Sequence, residues 1–393
     1  MARVDRTGLW LIGARGSVAT TAACGLTALR TGLIDATGCV TEKLDLADSV
    51  FPGWADIVIG GHDIVTTPLD KRAEDLTEAG ILPLHILPLI GDELRAVDAA
   101  IRPGYHPVAD TGSQADAVAR QVTDLEEFRR TYGLARVVVV NVSSTEPPVP
   151  DLPEYQDLDS LDRALADPNR RVLTAGSLAI YAAFTAGCPV VDFTPSPGLR
   201  LPALAELARR NELPYAGCDG KTGETLLRTV LAPMFTARAL RVRSWSGTNL
   251  LGGGDGANLA DPVRAKGKLD SKARGLGALL GTDVTAPLHI DNVPDLGERK
   301  VAWDYVSFEG FLGTRMNLQF TWDGYDSALA APLVLDLARL VAGAHKVGES
   351  GPLGALGFFF KDPLGSTEHR LAEQARALSD WTGKLSAASQ GWQ

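Results

Sequence analysis

The sequence predicts an α/β protein: a parallel sheet covered by helices on both faces, followed by a second, mixed or antiparallel sheet. Two observations carry that prediction. Over roughly the first 240 residues, short runs that are apolar throughout alternate with helical segments, as strands do when crossover helices cover both sides of a parallel sheet. From about Arg241 to Phe320 the chain becomes glycine-rich with alternating segments such as "RKVAWDYVSFEGFLG" and "RMNLQFTW", the period of strands with two unlike faces.

The elements follow in order. "GLWLIG" reads as a buried strand from Gly8 to Ile12, and "GARGSVATTAACGLTALRTGL" as a turn and then a helix. "ADIVIGGHD" at 55–63 is a second buried strand ending in glycines, and "ARVVVVNVSSTEPP" at 135–148 is the clearest strand, four valines before a polar turn. "SLAIYAAFTAG" reads as a helix, "PVVDFTPS" as a strand, "LPALAELARRNEL" as an amphipathic helix and "PYAG" as a short strand. A helix returns in "DSALAAPLVLDLARLVAGA". The stretch 102–120, with "RPGYHPVADTGSQ", is the best candidate for a mobile loop.

Composition narrows the function. The 393 residues suggest two domains, or one large one with an insertion, and 45% hydrophobic residues allow a substantial core. A net charge of −10 argues against general nucleic-acid or anionic-membrane binding and is compatible with a small anionic substrate. Cys24, Cys39, Cys188 and Cys218 show no C-x-x-C spacing, and the six histidines are scattered, so no metal site is legible and a reducing cytoplasm is expected. No signal peptide and no uninterrupted apolar run of bilayer-spanning length stands out.

Three features carry chemistry. Gly13-Ala14-Arg15-Gly16-Ser17-Val18-Ala19 joins the first strand to the first helix, where small residues admit a dinucleotide pyrophosphate and the helix N-terminus attracts its charge. The spacing is G-x-x-G-x-x-A rather than G-x-G-x-x-G, and a tight turn without a ligand is the alternative. Asn141, Ser143, Ser144, Thr145 and Glu146 follow the valine strand, where doubly wound sheets bind ligands; ordinary turn chemistry would use the same residues. For the acidic residue that binds the ribose, Glu42 and Asp63 are candidates, and NAD and NADP are not distinguished. Finally, "RAKGKLDSKAR" at 264–274 sets five cations beside one carboxylate. As a helix it would place Arg264, Lys268 and Lys272 on one face, an arrangement that fits an anion trap or a solvated surface. Lys300 precedes an apolar stretch and Lys361 follows three phenylalanines. A desolvated lysine loses proton affinity and can act as a base, whereas one that snorkels cannot.

The stretches "CDGKTGETLLRTVLAPMF", "SWSGTNLLGGGDGANLADPVRAKGKLDSKA", "GERKVAWDYVSFEGFLG", "DSALAAPLVLDL" and "FFFKDPLG", in that order, resemble the myo-inositol-phosphate synthase family, and the resemblance covers most of the chain. It implies an NAD-binding Rossmann domain at 1–240, an inserted α+β catalytic and oligomerisation domain at 241–330, and a return to the Rossmann domain at 331–393. It also implies a homotetramer. Lys268, Lys272, Lys300 and Lys361 match the family's active-site lysines. Asp219, Lys221, Thr222, Gly223 and Glu224 match a substrate and nicotinamide-side loop usually written D-F-K-S-G-Q. Asn249 and Asp255 match a polar N-x-x-G-N-N-D-G loop. Asp326 matches an acidic site residue and would otherwise be a helix N-cap.

In that family NAD⁺ oxidises a hydroxyl of a sugar 6-phosphate, the ketone enolises, the enolate attacks the sugar's own carbonyl, and NADH returns the hydride. The resemblance gives Lys268 the hydroxyl proton, sets Lys300 and Lys361 at the developing oxyanions, and gives the phosphate to Lys272 and Arg264. The chain departs from the family at Arg15 and Ala19, which replace glycines, at Gly253 and Gly254, which replace paired asparagines, and at Glu224, which replaces glutamine. The last three bear on the hydroxyl pattern a substrate must present. Glucose 6-phosphate is the expected substrate. Fructose 6-phosphate giving a five-membered ring, a simple NAD(P) dehydrogenase, and a non-catalytic sensor are the alternatives.

Overall fold

The computed structural model describes residues 5–253, 256, 276–277, 279–281 and 284–388. A seven-stranded parallel sheet forms its larger part. The strands are β1 (Thr7–Ile12), β2 (Ile57–Asp63), β3 (Ile101–Pro103), β4 (Arg136–Asn141), β5 (Val190–Asp192), β6 (Pro214–Gly217) and β11 (Gly351–Pro352), in the spatial order β3-β2-β1-β4-β5-β6-β11. The order reverses between β1 and β4, and such a switch point opens a crevice at the carboxyl ends of the strands.

Apolar runs become strands here because both faces are buried. Leu9 and Leu11 of β1, with Val138 and Val140 of β4, enter one core; Trp10 and Ile12, with Val137 and Val139, enter the other, as the two-residue period of a strand requires. On the first face lie α1 (Ser17–Arg30), α2 (Leu69–Glu78) and α3 (Leu87–Asp98); on the second lie α4 (Gln114–Tyr132), α5 (Leu158–Ala166), α6 (Ala175–Thr185) and α7 (Pro202–Arg210). The stretch expected to be a mobile loop is shorter than the sequence suggests. β3 takes its start, and α4 begins at Gln114 because Ser113 and Asp116 form a reciprocal capping box.

After β6, α8 (Gly223–Ala237) leads into a second sheet, with β7 (Arg241–Leu251), β8 (Leu288–Asn292), β9 (Arg299–Glu309) and β10 (Arg315–Tyr325) in the order β10-β9-β7-β8. β9 runs antiparallel to β7 and β10, and β8 runs parallel to β7. Phe235 of α8 packs on Trp245, Val306 and Phe308 of this sheet.

Two helices complete the fold: α9 (Asp326–Lys346), directly after β10, and α10 (Leu371–Ala388). By length and composition α9 could cross a membrane, which the sequence did not lead us to expect, yet 78% of its most apolar window is buried. Its Leu335, Leu337, Leu340 and Val341 belong to the core beside α1, each contributing about 1.5–3 kcal/mol of burial. The helix is thus a core helix that carries Asp326 on its first turn back to the crevice of the first sheet.

Candidate active site

A cavity of about 1140 Å³ opens at the switch point, lined from the ends of β1 and β2 and the loops after β4 and β5 on one side and from β7, β9 and α9 on the other. Its floor begins where β1 ends. Gly13 has φ +82°, and a Cβ there would lie 2.8 Å from the Cα of Ser143, so only glycine lets the turn pass beneath the β4 loop. Gly16 caps α1 without any side-chain acceptor, and the first turn of α1 holds no acidic residue. This 14-residue helix therefore presents its N-terminal N–H groups and positive dipole end to the cavity. Arg15, Gly16, Ser17 and Val18 line the cavity; Ala14 is buried behind them.

The β4 loop supplies the next wall. Asn141 is fully buried: its amide donates to Asp192 at 3.1 Å, and its Oδ1 accepts from the Ser143 hydroxyl at 2.7 Å. Asn141 thus fixes the loop, and Ser143, Ser144, Thr145 and Glu146 meet the cavity. Glu146 accepts the Gly176 N–H of α6 at 2.8 Å. Burial pushes the Asp192 carboxyl up to about 7.

Two lysine–carboxylate pairs face this same space. Lys300 of β9 meets Asp326 at 2.7 Å, and Thr222 donates to the other oxygen of Asp326 at 3.2 Å. Lys361 meets Asp219 at 2.8 Å, with side-chain exposures of only 9% and 5%. This second pair sits on a short two-stranded ribbon in which Lys361 N–H donates to the Asp219 carbonyl and Lys221 N–H to the Phe359 carbonyl, both at 2.8 Å. Lys300, Asp326, Thr222, Lys361 and Asp219 line the cavity, whereas Lys221 and Phe359 do not.

Not every expected residue arrives there. Lys221 is buried, and its Nζ donates to Gln374 of α10 and lies over the Phe358 ring; burial without a carboxylate partner pushes its ammonium down to about 7. Glu224 stands in the first turn of α8, and Arg228, one turn on, draws it inward to a buried cluster with Asp304 and Trp245. There burial, and then the Glu224 charge, raise the Asp304 carboxyl. Gly223 packs against Trp322. Asn249 shares the buried face of β7 with Trp245, short of the cavity-lining Leu251. Arg264, Lys268, Lys272 and Asp255 lie outside the described residues.

Of the two ribose candidates, Asp63 lines the cavity at the end of β2, accepting the backbone N–H groups of Arg15 and Val65 at 2.7 and 2.8 Å. Glu42 lies elsewhere, held by Arg339 and Trp54. Sequence reasoning missed Arg72, His106, Arg171 and Thr194, which also line the cavity and carry no motif. It missed His62 as well, which accepts from Trp10 Nε1 through Nδ1 and so donates through Nε2 to Asp124.

These residues fit NAD. The turn and the open end of α1 would hold the pyrophosphate, and Asp63 the ribose. Asp219 Oδ2, buried with no hydrogen-bond partner among the described residues, is an acceptor placed for a donor on the nicotinamide side.

Comparison with known proteins agrees with this geometry. The NAD-binding family model described as myo-inositol-1-phosphate synthase matches residues 7–382. Inositol-3-phosphate synthase 1 of Bacteroides thetaiotaomicron is 32% identical, covering 93% of this chain and 91% of its own. The enzyme of the same name from Oryza sativa subsp. japonica is 26% identical over 86% of this chain and 74% of its own. Inositol-3-phosphate synthase from Caenorhabditis elegans has the same fold at TM-score 0.84 and 20% identity, covering 98% and 86%. So does a myo-inositol-1-phosphate synthase-related protein from Thermotoga maritima, at 0.79 and 23%, covering 96% and 98%. With the glycine turn, the switch-point cavity and the family match all on one chain, this protein belongs to the myo-inositol-1-phosphate synthase family and is an NAD-binding, isomerase-type enzyme.

Proposed function

We propose that this chain converts glucose 6-phosphate to 1D-myo-inositol 3-phosphate by intramolecular aldol ring closure, in the cytoplasm and as a homotetramer. The observation that carries the reading is the meeting of Lys300–Asp326 and Lys361–Asp219 in one cavity with the Gly13–Ser17 turn. Held by the Gly13–Ser17 turn and Asp63, NAD would supply a hydride acceptor for C5 and a hydride donor for the same carbon at the end, so the net change would be an isomerisation. A ketone at C5 acidifies C6; a general base takes the C6 proton to give an enolate, C6 attacks the C1 aldehyde to close the six-membered ring, and a proton returned to the C1 oxygen completes the hydroxyl, so no net proton is lost.

Negative charge develops on the C5 oxygen and then on the C1 oxygen. Cations held in place before charge develops stabilise it without reorganising. Lys361 spends one of its three N–H donors on Asp219, and the others are available to such an oxygen. Asp326, fixed by Thr222, orients Lys300 in the same way. The resemblance gives the hydroxyl proton to Lys268 and the phosphate to Lys272 and Arg264.

The test is ¹³C NMR of the purified enzyme with NAD⁺ and, in parallel, labelled glucose 6-phosphate and fructose 6-phosphate. A six-membered cyclitol phosphate from glucose 6-phosphate alone is expected. A five-membered ring from fructose 6-phosphate would keep the mechanism and change the substrate. Accumulating NADH without a ring would replace ring closure with simple dehydrogenation.

A further inference from the structure

The backbone N–H, the carbonyl and the guanidinium of Arg15 all reach the same neighbour, the second β–α unit. Its N–H donates to Asp63 at 2.7 Å, its carbonyl accepts from Arg72 Nε at 3.1 Å, and its guanidinium meets Asp98 at 3.0 Å and the Val65 carbonyl at 3.0 Å. Asp98, the last residue of α3, uses that same oxygen to accept the Leu69 N–H that opens α2. The pair is substantially shielded, with side-chain exposures of 13% and 26%. Arg15, Asp63, Val65 and Arg72 line the cavity, whereas Asp98 does not.

We infer that Arg15 and Asp98 form a latch that holds the cofactor turn against Asp63, setting affinity for NAD and its preference over NADP; the inference rests on the cofactor placement given above. A turn of small residues loses much backbone freedom when it closes on a pyrophosphate. Anchoring the turn at Arg15 removes part of that freedom beforehand. The same pairing commits the Arg15 guanidinium to Asp98 and Val65 and away from a 2′-phosphate, which the Asp63 carboxylate at the end of β2 repels. Arg15 acts in this account as a positioning residue, through Asp98, not by touching the cofactor.

The experiment is calorimetric titration of the full-length protein with NAD and with NADP, without substrate, so that it reads binding and not turnover. Asp98→Asn keeps an acceptor for Leu69 and removes the charge that Arg15 needs. Asp98→Asn and Arg15→Ala should each weaken NAD about tenfold, equivalent to ~1.4 kcal/mol, and the double variant should bind no more weakly than Arg15→Ala. In Asp98→Asn alone the freed guanidinium should also lower the NADP-to-NAD ratio of dissociation constants, which a merely structural role would not do. NAD affinity unchanged in Arg15→Ala overturns the latch. So does Arg15→Ala weakening NAD while Asp98→Asn binds like the parent, because Arg15 would then touch the cofactor itself. Should Asp98→Asn fail to fold, Arg15→Lys takes its place, since one ammonium cannot span both Asp98 and Val65: intermediate weakening supports the latch and parental affinity overturns it. If the unmutated protein binds NAD and the variants weaken it as expected, but no ring forms from substrate, the proposed reaction is refuted while the latch is supported.

Discussion

Lys361 and Asp219 stand 142 residues apart in sequence and 2.8 Å apart in space. A buried pair of this kind is expensive to break, because the survivor is left as an unpaired charge. Lys361→Gln is therefore expected to lower kcat about 100- to 1000-fold, the effect of losing a preorganised oxyanion donor. It should leave the NAD dissociation constant close to the parent's in titration calorimetry; a variant with parental kcat would remove Lys361 from the chemistry. Asp192 allows a prediction on stability. Its folded carboxyl is raised to about 7 by burial, whereas in the unfolded chain it titrates near 3.9. Between those values the folded state holds the extra proton, so the stabilisation is full below about pH 4 and is lost as pH rises toward 7. Asp192→Asn should flatten chemical-denaturation stability across that window; an unchanged slope would assign it to other groups. At this scale the sequence names the lysines, but their carboxylate partners follow only from folding.

The turn between β1 and α1 shows what an element adds to its residues. Gly13 is constrained twice, by its positive φ and by the Ser143 backbone 2.8 Å from where a Cβ would stand. Gly13→Ala is expected to displace the β4 loop and to weaken NAD at least about tenfold, a loss of ~1.4 kcal/mol or more. Tryptophan fluorescence melting should find the fold retained, and parental NAD affinity would show that the turn has room to spare. The turn was legible because a strand, small residues and a helix follow one another in sequence. Lys221 was not legible in the same way: whether it meets substrate or Gln374 depends on where α10 packs, 153 residues on.

Across the whole molecule, the second sheet leaves β10 at its edge, and the β9–β10 connection carries Phe311 and Leu312 at 89% and 87% exposure. Apolar side chains displayed together on a hairpin tip are the kind of surface that association covers. If the protein is the homotetramer proposed above, changing both Phe311 and Leu312 to Asp should shift it to smaller species in sedimentation velocity. A parent chain that sediments as a monomer would remove the premise. The α/β class, the parallel sheet, the later change to a mixed sheet and the cofactor turn were all determined by the sequence alone. Each depends on local periodicity or on residues that are neighbours in the chain, and burial on both faces leaves its mark in unbroken apolar runs such as the four valines of β4. Only the tertiary structure decided that Asp326 holds Lys300 and Asp219 holds Lys361, that Glu224 turns inward to Arg228, and that Asp63 rather than Glu42 reaches the cavity. These outcomes depend on contacts between elements remote in sequence, and a side chain's partner is fixed only when those elements pack.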